Sequence, residues 1–255
     1  MQMNSIVNLN PLIYHHHHSK KIEDIPFWLE LAKEAGDPIL ELGCGTGRVI
    51  SQLAQLGQRV VGLDLSFEML AFLKGNLSIQ VLGLVDIFQA DLGDFQLGRK
   101  FSLIFLACNT LSTLQKETRA KAFMRVQEHL AEGGLFAASV PNPLQLERLP
   151  VFGESEIEEI ISHPESGNPL QISSEWERFD RDMVFRWHYD QLFPDGRVER
   201  YTIEVKHTLT TLEEYQAEMQ AAKLNPVEIF GDFDRTKFNQ DSPYLIVLAR
   251  KGSGF

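Results

Sequence analysis

A glycine-rich loop and two later acidic residues are spaced along the chain so that they could hold a nucleoside. The segment ILELGCGTGR, residues 39–48, sets three alternating glycines directly after a short apolar run. Asp64 ends the next apolar run, at a spacing that suits a carboxylate accepting hydrogen bonds from two ribose hydroxyls. Asp91 ends the run after that. Because open α/β sheets bind ligands at the carboxyl ends of their strands, we expect these groups to share one site.

The residue after the third glycine restricts the kind of nucleotide. A dinucleotide-binding loop of the form G-x-G-x-x-G requires a glycine at position 48, where this chain has Arg48. The segment also lacks the G-x-x-x-x-G-K-[ST] pattern of a P-loop. The loop therefore predicts close backbone approach to a ligand without the usual diphosphate cradle. This disfavours an NAD-dependent dehydrogenase.

Strand-like apolar runs alternate with helix-like segments up to about residue 145, at the spacing of βαβ units. Asp24 is predicted to cap the first helix and Gly36 to end it. This alternation predicts a parallel sheet with helices on both faces. The predicted strands are 38–42, 59–65, 85–91, 101–107 and 135–143, and the predicted helices are 22–35, 47–57, 67–76 and 115–134.

The sequence changes character after residue 145. Proline, glutamate and serine are frequent through residue 164, which predicts an exposed connection. An antiparallel hairpin is predicted next, with strands 177–193 and 197–209 joined by Pro-Asp-Gly. After residue 210 the chain again alternates between helix-like and strand-like segments. We therefore predict one α/β domain with a β insertion between its fifth and sixth strands, completed by a helix and two strands: 212–223, 226–233 and 243–251.

The composition excludes some classes of protein and disfavours others. The chain has 255 residues, 44% of them hydrophobic, and a formal net charge of −11, which argues against a nucleic-acid partner. No apolar run reaches the length needed to span a bilayer, and the N-terminus lacks the pattern of a secretory signal. The two cysteines, Cys44 and Cys108, lie in apolar stretches and are expected to be buried, reduced thiols. These features favour a cytoplasmic protein.

The motifs together resemble those of the class I S-adenosylmethionine-dependent methyltransferases. The matches are the E-x-G-x-G-x-G loop, the acid that ends the second strand, ADL at 90–92, and HLAEGGLFAASVP at 129–141 leading into the fifth strand. The resemblance covers roughly residues 25–145. It implies a Rossmann-like sheet of seven strands, the last antiparallel. It also implies S-adenosylmethionine as cofactor and S-adenosylhomocysteine as product.

The resemblance also implies which residues bind the cofactor. The glycine loop would pass under the methionine part and the ribose, and Asp64 would bind the ribose hydroxyls. Asp91 would accept a hydrogen bond from the adenine amino group. The implied cofactor-binding set is Glu41, Gly43, Cys44, Gly45, Gly47, Arg48, Asp64, Leu65, Met69, Asp91, Leu92, Ala107 and Cys108.

Methyl transfer needs an aligned acceptor and, for a hydroxyl or a protonated amine, a base. In related small-molecule enzymes an aromatic residue ahead of the first helix covers the cofactor, and Tyr14 fits that placement. Tyr14, His15 and His16 are therefore the catalytic candidates. A metal site is not expected, since adjacent histidines cannot all face one ion. Candidate acceptor-binding residues are Tyr14, Asn109, Asn142, Arg186, Trp187, His188 and Tyr201, although the insertion could equally be a solvated or subunit-contacting sheet.

Four segments follow from these predictions. Residues 1–35 form an N-terminal lid and first helix, 36–145 the cofactor-binding core, 146–210 the β insertion, and 211–255 the rest of the core. The predicted activity is methyl transfer to nitrogen or oxygen of a small-molecule acceptor, without nucleic-acid or membrane partners. The alternatives are a methyltransferase acting on protein or RNA and a non-catalytic cofactor-binding module. A homodimer is left open.

Overall fold

A computed structural model of the chain describes residues 10–252. The described residues fall into two compact units. One consists of residues 10–20 and 146–209, and the other of residues 21–145 and 210–252. The segment 1–35, predicted as a single N-terminal element, is thus divided between the two units after residue 20. Its first nine residues lie outside the described part of the chain.

The described residues form eight helices and eleven strands. The helices are α1 Pro11–His18, α2 Ile25–Ala35, α3 Ile50–Gln55, α4 Phe67–Asn76, α5 Thr110–Thr113, α6 Lys116–His129, α7 Pro143–Arg148 and α8 Leu212–Ala221. The strands are β1 Ile39–Leu42, β2 Val60–Asp64, β3 Val85–Gln89, β4 Phe101–Leu106, β5 Leu130–Pro141, β6 Phe152–Ser162, β7 Pro169–Phe179, β8 Asp182–Leu192, β9 Val198–Thr208, β10 Leu224–Phe230 and β11 Tyr244–Lys251.

A seven-stranded sheet forms the centre of the larger unit, in the order β10-β11-β5-β4-β1-β2-β3. Strands β1 to β5 pair in parallel, and β11 runs antiparallel to both β5 and β10. Apolar side chains leave the sheet on both faces: Leu40 and Leu42 belong to one core cluster, and Ile39 to the other. Helices must cover both faces of such a sheet. The predicted Rossmann-like sheet is confirmed.

The direction of the strand order reverses at β1. From β1 the chain proceeds through β2 to β3 on one side, and β4 leads to β5 on the other. The loops after β1 and β4 therefore leave neighbouring strands at the point where open α/β sheets place their ligands. Residues 43–49 and 107–109 form these two loops, and α5 begins directly after the second. The order of the strands thus brings the glycine loop and the β4 loop together.

The beginning of α2 differs from the prediction. Asp24 occupies the N-cap position, but its side chain makes no capping hydrogen bond. The carboxylate instead accepts hydrogen bonds from the side chains of Arg48 and Trp28. Gly36 ends the helix as predicted, at φ 73°. The helix packs on the core through Phe27 and Trp28, among other residues.

The β insertion is larger than the predicted hairpin. Strands β6 to β9 form a four-stranded antiparallel sheet in sequential order. The segment 145–164 is largely exposed, as predicted, but the prediction of a mere connection was wrong, because most of the segment forms the end of α7 and the edge strand β6. The single strand expected over 177–193 was also wrong. It is broken by a turn at Asp180, which has φ 53°, so that β7 and β8 pair with each other.

The predicted turn between β8 and β9 is present. Gly196 has φ 86°, a left-handed conformation that favours glycine. The amide of Gly196 donates to the carbonyl of Phe193 at 3.0 Å, and the amide of Phe193 donates to the carbonyl of Arg197 at 2.9 Å. The two strands pair from Asp182–Thr208 to Leu192–Val198. The insertion lies between the fifth and sixth strands of the core sheet, as predicted.

Helix α1 contains the four consecutive histidines and belongs to the smaller unit. Asn10 caps it by accepting a hydrogen bond from the amide of Leu12, and Pro11 occupies its first turn. Ile13 and His17, one turn apart, are its buried residues. Ile13 packs in a small apolar cluster with five residues of the four-stranded sheet: Ile161, Leu170, Ile172, Tyr189 and Ile203.

Residues 10–252 contain neither a candidate membrane span nor a candidate metal-ion cluster. No helix in that range is long and apolar enough to cross a bilayer. No group of three or more His, Cys, Asp or Glu side chains in that range is arranged to hold a metal ion.

Candidate cofactor site

The glycine loop after β1 requires glycine for its backbone and for its space. Gly43, Gly45 and Gly47 have φ values of 71°, 53° and 88°, which side chains rarely tolerate. A Cβ added to Gly43 would lie 2.9 Å from Thr110 Cγ2. One added to Gly47 would lie 2.2 Å from Leu73 Cδ1. At Gly43 and Gly47 the loop thus packs against the start of α5 and against α4, with no room for side chains.

Asp64, at the end of β2, is hydrogen-bonded to the glycine loop. Its Oδ2 accepts from the amide of Gly45 at 2.8 Å, and its Oδ1 accepts from the amide of Ser66 at 2.9 Å. Burial raises the pKa of Asp64, and backbone hydrogen bonds from Ser66, Gly45 and Leu65 oppose that rise. Each carboxylate oxygen retains a lone pair for a further donor. The acid is therefore held at the predicted place with capacity to accept ribose hydroxyls.

Four further residues of the implied cofactor-binding set lie near the ends of β2 and β3: Leu65 follows β2, Met69 lies on α4, and Asp91 and Leu92 follow β3. Asp91 is exposed, and its Oδ1 accepts from the amide of Gly93 at 2.7 Å. Met69 and Leu92 are buried, whereas Leu65 is 60% exposed. The amide of Ala90 donates to the carbonyl of Asp64 at 3.0 Å, which aligns the two strand ends.

Glu41 is a buried acid beneath the loop. It is only 3% exposed, and its Oε2 has no hydrogen-bond partner among the described residues. The amide of Ile50 donates to this carboxyl group. Burial is the main cause that raises the pKa of Glu41 to about 8; Arg48 opposes the rise, and Asp24 and Asp64 add to it.

Arg48 joins three parts of this unit. Its Nη1 and Nη2 donate to the two carboxylate oxygens of Asp24 at 2.5 and 2.6 Å. Nη1 also donates to the carbonyl of Lys21 at 2.6 Å, and Nη2 to Cys108 Sγ at 2.7 Å. Asp24 Oδ2 additionally accepts from Trp28 Nε1 at 2.9 Å. The start of α2, the glycine loop and the β4 loop are thereby connected.

Sequence reasoning missed part of this arrangement. Asp24 was interpreted only as a helix cap, and Trp28 only as an apolar helix position. A polar indole nitrogen one turn after an acid was a usable signal, since Trp Nε1–H needs an acceptor when it is buried. The approach of Arg48 depends on tertiary structure.

The loop after β4 has an unusual backbone. Cys108 and Asn109 have φ values of 56° and 63°, although neither is glycine. Such strained backbone is concentrated at functional sites. Ala107 is buried, but Cys108 is exposed, so the prediction that both thiols are buried was wrong for Cys108. Cys44 is buried as expected.

Asn142 was predicted at the rim of an acceptor pocket, but the structure buries it completely. Its Nδ2 donates to the carbonyl of Ser242 at 2.8 Å, and its Oδ1 accepts from the amide of Leu144 at 3.0 Å. Nδ2 also lies 3.3 Å from the carbonyls of Asn239 and Gln240. Asn142 therefore fastens the segment 239–242 and has no exposed surface for an acceptor.

The four candidates on the insertion cannot wall one pocket together. Side chains alternate between the two faces of a strand, so Arg186 and His188 lie on one face of β8 and Trp187 on the other. Tyr201 on β9 pairs with Tyr189 on β8 and therefore lies on the same face of the sheet as Trp187. The first face is polar: Arg186 Nε donates to Glu204 at 3.0 Å. His188 Nδ1 lies 2.8 Å from Thr202 Oγ1 on the same face. Trp187 Nε1 donates instead to Glu158 at 3.1 Å.

The catalytic candidates lie on α1. Tyr14 is half-buried, and its ring centroid lies 4.4 Å from that of His18. Burial, and to a smaller extent His16, lower the pKa of His15. The histidine that α1 buries is His17, whose Nδ1 lies 2.9 Å from the hydroxyl of Tyr189. His17 was not singled out from the sequence, although its one-turn spacing from Ile13 was a signal.

The larger unit has the groups that a cationic adenosine derivative needs. Its glycine loop leaves no space for a Cβ at Gly43 or Gly47, and Asp64 can accept from hydroxyls. Glu41 contributes a buried carboxyl oxygen with no partner among residues 10–252. These features fit S-adenosylmethionine, which has ribose hydroxyls, an ammonium group and a sulfonium group.

Comparison with known proteins agrees with this chemistry. Residues 39–134 match the family model described as a methyltransferase domain. A putative methyltransferase of Geobacillus sp. (strain WCH70) is 25% identical over 226 residues, 87% of each chain. The sugar N-methyltransferase KedS8 of Streptoalloteichus sp. is 18% identical with a TM-score of 0.78, over 99% of this chain and 96% of its own.

A further solved structure has its cofactor bound. It is the S-adenosylmethionine complex of CalS10, an amino pentose methyltransferase of Micromonospora echinaspora. It is 22% identical with a TM-score of 0.68, over 92% of this chain and 91% of that one. Residues 39–134 therefore form a methyltransferase domain, and the seven-stranded sheet that carries the glycine loop, Asp64 and Asp91 has the fold of the class I S-adenosylmethionine-dependent methyltransferases.

Proposed function

We propose that the protein transfers a methyl group from S-adenosylmethionine to an amino nitrogen of a small molecule. The observation that carries the small-molecule part is the likeness along the whole chain, insertion included, to KedS8 and CalS10. KedS8 is a sugar N-methyltransferase, and CalS10 is an amino pentose methyltransferase. These two activities support nitrogen rather than a hydroxyl oxygen as the methylated atom, and an amino sugar as the class of acceptor.

The cofactor, when bound, supplies an activated methyl group and its leaving group. The residues of the chain must orient the acceptor, exclude water and remove a proton from an ammonium group. Tyr14, His15 and His16 are proposed for this last task. The lowered pKa of His15 supports it as a base, because its neutral imidazole can accept a proton at neutral pH.

The proposed partners are small molecules rather than nucleic acids. The formal net charge of −11 supports this, since a nucleic-acid surface repels an acidic protein. A cytoplasmic location is proposed because both cysteines, Cys44 and Cys108, are free thiols, as is usual in a reducing compartment. Self-association is left as a question for sedimentation analysis of the purified chain.

Labelled methyl transfer tests the function. The purified chain is incubated with methyl-labelled S-adenosylmethionine and pairs of sugars that carry an amino or a hydroxyl group at the same carbon. We expect label on the amino member of a pair only. Transfer to the hydroxyl member would overturn the choice of nitrogen. Label in protein or RNA fractions but not in metabolites would replace the proposal with a macromolecular acceptor.

The catalytic assignment has its own test. Tyr14→Phe and His15→Ala should lower turnover while the affinity for S-adenosylhomocysteine stays unchanged, since both residues are proposed to act on the acceptor. His16→Ala, one position along the same helix, shows whether the neighbouring histidine shares the task. Unchanged turnover in all three variants would remove α1 from the mechanism.

A further inference from the structure

Glu41 is an acid whose surroundings oppose its charge. The carboxyl group lies in the core beneath the glycine loop, and the residue is 3% exposed. One hydrogen-bond donor reaches it, the amide of Ile50, and its Oε2 has no partner among the described residues. An ionised carboxylate with an unsatisfied, buried oxygen is costly. In the absence of ligand, the neutral acid is the favoured form.

The charges around Glu41 strengthen this preference. The charged or titratable groups that interact with it are Arg48, Asp24, Asp64, Cys44 and Cys108. Arg48 is the cation of this set, but both of its terminal nitrogens already donate to the carboxylate of Asp24. Asp64 adds a second negative charge. Ionising Glu41 would therefore leave the cluster with an excess of buried negative charge.

We propose that cofactor binding ionises Glu41, so that the ammonium group of the methionine part replaces a proton and one proton leaves to solvent. The inference rests on the proposed cofactor site. In balanced form, the carboxylic acid and the ligand ammonium give a carboxylate–ammonium pair and a proton taken up by the buffer. No covalent bond to carbon changes. The ionisation of Glu41 thus depends on the positive charge of the ammonium group at the methionine end of the ligand.

A dependence of affinity on pH follows from this exchange. With a pKa of about 8 for Glu41 in the empty protein, the acid is roughly nine-tenths protonated at pH 7. Below pH 8 each binding event must expel one proton, so the dissociation constant should fall about tenfold for each unit by which the pH rises. Above pH 8 this dependence should disappear.

Calorimetry with two ligands tests the proposal. S-adenosylhomocysteine carries the amino-acid part, whereas 5′-methylthioadenosine keeps the adenosine and thioether but lacks it. Titrations at pH 7 in two buffers of different ionisation enthalpy give the number of protons released. We expect about 0.9 protons for S-adenosylhomocysteine and none for 5′-methylthioadenosine. Because both ligands carry the ribose hydroxyls, the second ligand controls for any proton exchanged at Asp64.

The variant Glu41→Gln keeps the shape of the side chain and removes its titration. It should bind S-adenosylhomocysteine without releasing a proton. The wild-type measurement stands alone if the variant fails to fold: no proton release with S-adenosylhomocysteine would overturn the inference. Equal release by both ligands, or release by Glu41→Gln, would also overturn it. Failure of both ligands to bind the folded wild-type chain would instead refute the cofactor site.

Discussion

Arg48 and Asp24 form a two-point ion pair, with Nη1–Oδ1 at 2.5 Å and Nη2–Oδ2 at 2.6 Å. Their side chains are only 13% and 10% exposed. The pair fastens Arg48, the residue after the third glycine of the loop, to the start of α2. Trp28 Nε1 donates to the same carboxylate. A position that is glycine in dinucleotide-binding loops thus has a tethering role here.

Asp24→Asn should destabilise the protein strongly, because it leaves the guanidinium of Arg48 buried without its counter-charge. Removing one partner of a buried pair costs about 3–5 kcal/mol. Urea unfolding measures this loss. The matched control is Asp86→Asn, which breaks the exposed pair with Arg99, where both side chains are over 40% exposed. It should cost about 0–1 kcal/mol. Equal losses in the two variants would contradict the role given to Asp24.

Asp64→Ala should weaken the binding of S-adenosylhomocysteine by removing the acceptor proposed for the ribose hydroxyls. Hydrogen bonds to a charged group contribute about 1.5–3 kcal/mol, which corresponds to a loss in affinity of roughly 10- to 150-fold. Isothermal titration calorimetry measures the change. Asp94→Ala provides the control, since that carboxylate is 89% exposed. An unchanged affinity in Asp64→Ala would refute the assignment.

Gly47→Ala should cost more stability than a substitution that strains the backbone alone. Its new Cβ would lie 2.2 Å from Leu73 Cδ1, in addition to adopting φ 88°. Gly57 has almost the same φ, 85°, but no atom within 4 Å of an added Cβ. Gly57→Ala should therefore cost about 1–2 kcal/mol, and Gly47→Ala a further ~1–3 kcal/mol from overpacking. Equal unfolding midpoints would show that Leu73 moves aside freely.

The core could be predicted from the sequence because its signals are local. Buried parallel strands are continuous apolar runs, and alternating glycines mark the loop between β1 and α3. The acid at the end of β2 follows from spacing alone. Fold and cofactor were therefore predictable where each element carries its own pattern.

The insertion could not be predicted to the same extent. Strand β6 contains Glu154, Glu156, Glu158 and Glu159, so that it lacks an apolar run even though it pairs along β7. The turn at Asp180 has neither glycine nor proline to mark it. Alternation along β8 predicted which side chains share a face of the strand. It did not predict which residues pack against each face. The contacts of Asp24, Asn142 and His17 depend on residues far away in the sequence.

Glu41 should make the empty protein less stable as the pH rises. Its pKa is about 8 in the folded state and near 4.5 when exposed, so between these values the folded state binds more protons than the unfolded state. The free energy of unfolding then falls with rising pH, by at most about 1.4 kcal/mol per unit from this group, and the fall ends above pH 8. Glu41→Gln should remove this dependence and be the more stable protein at pH 8. Urea unfolding of both forms at pH 6, 7 and 8, without cofactor, measures the difference. Parallel pH profiles for the two proteins would show that Glu41 is already ionised in the folded chain.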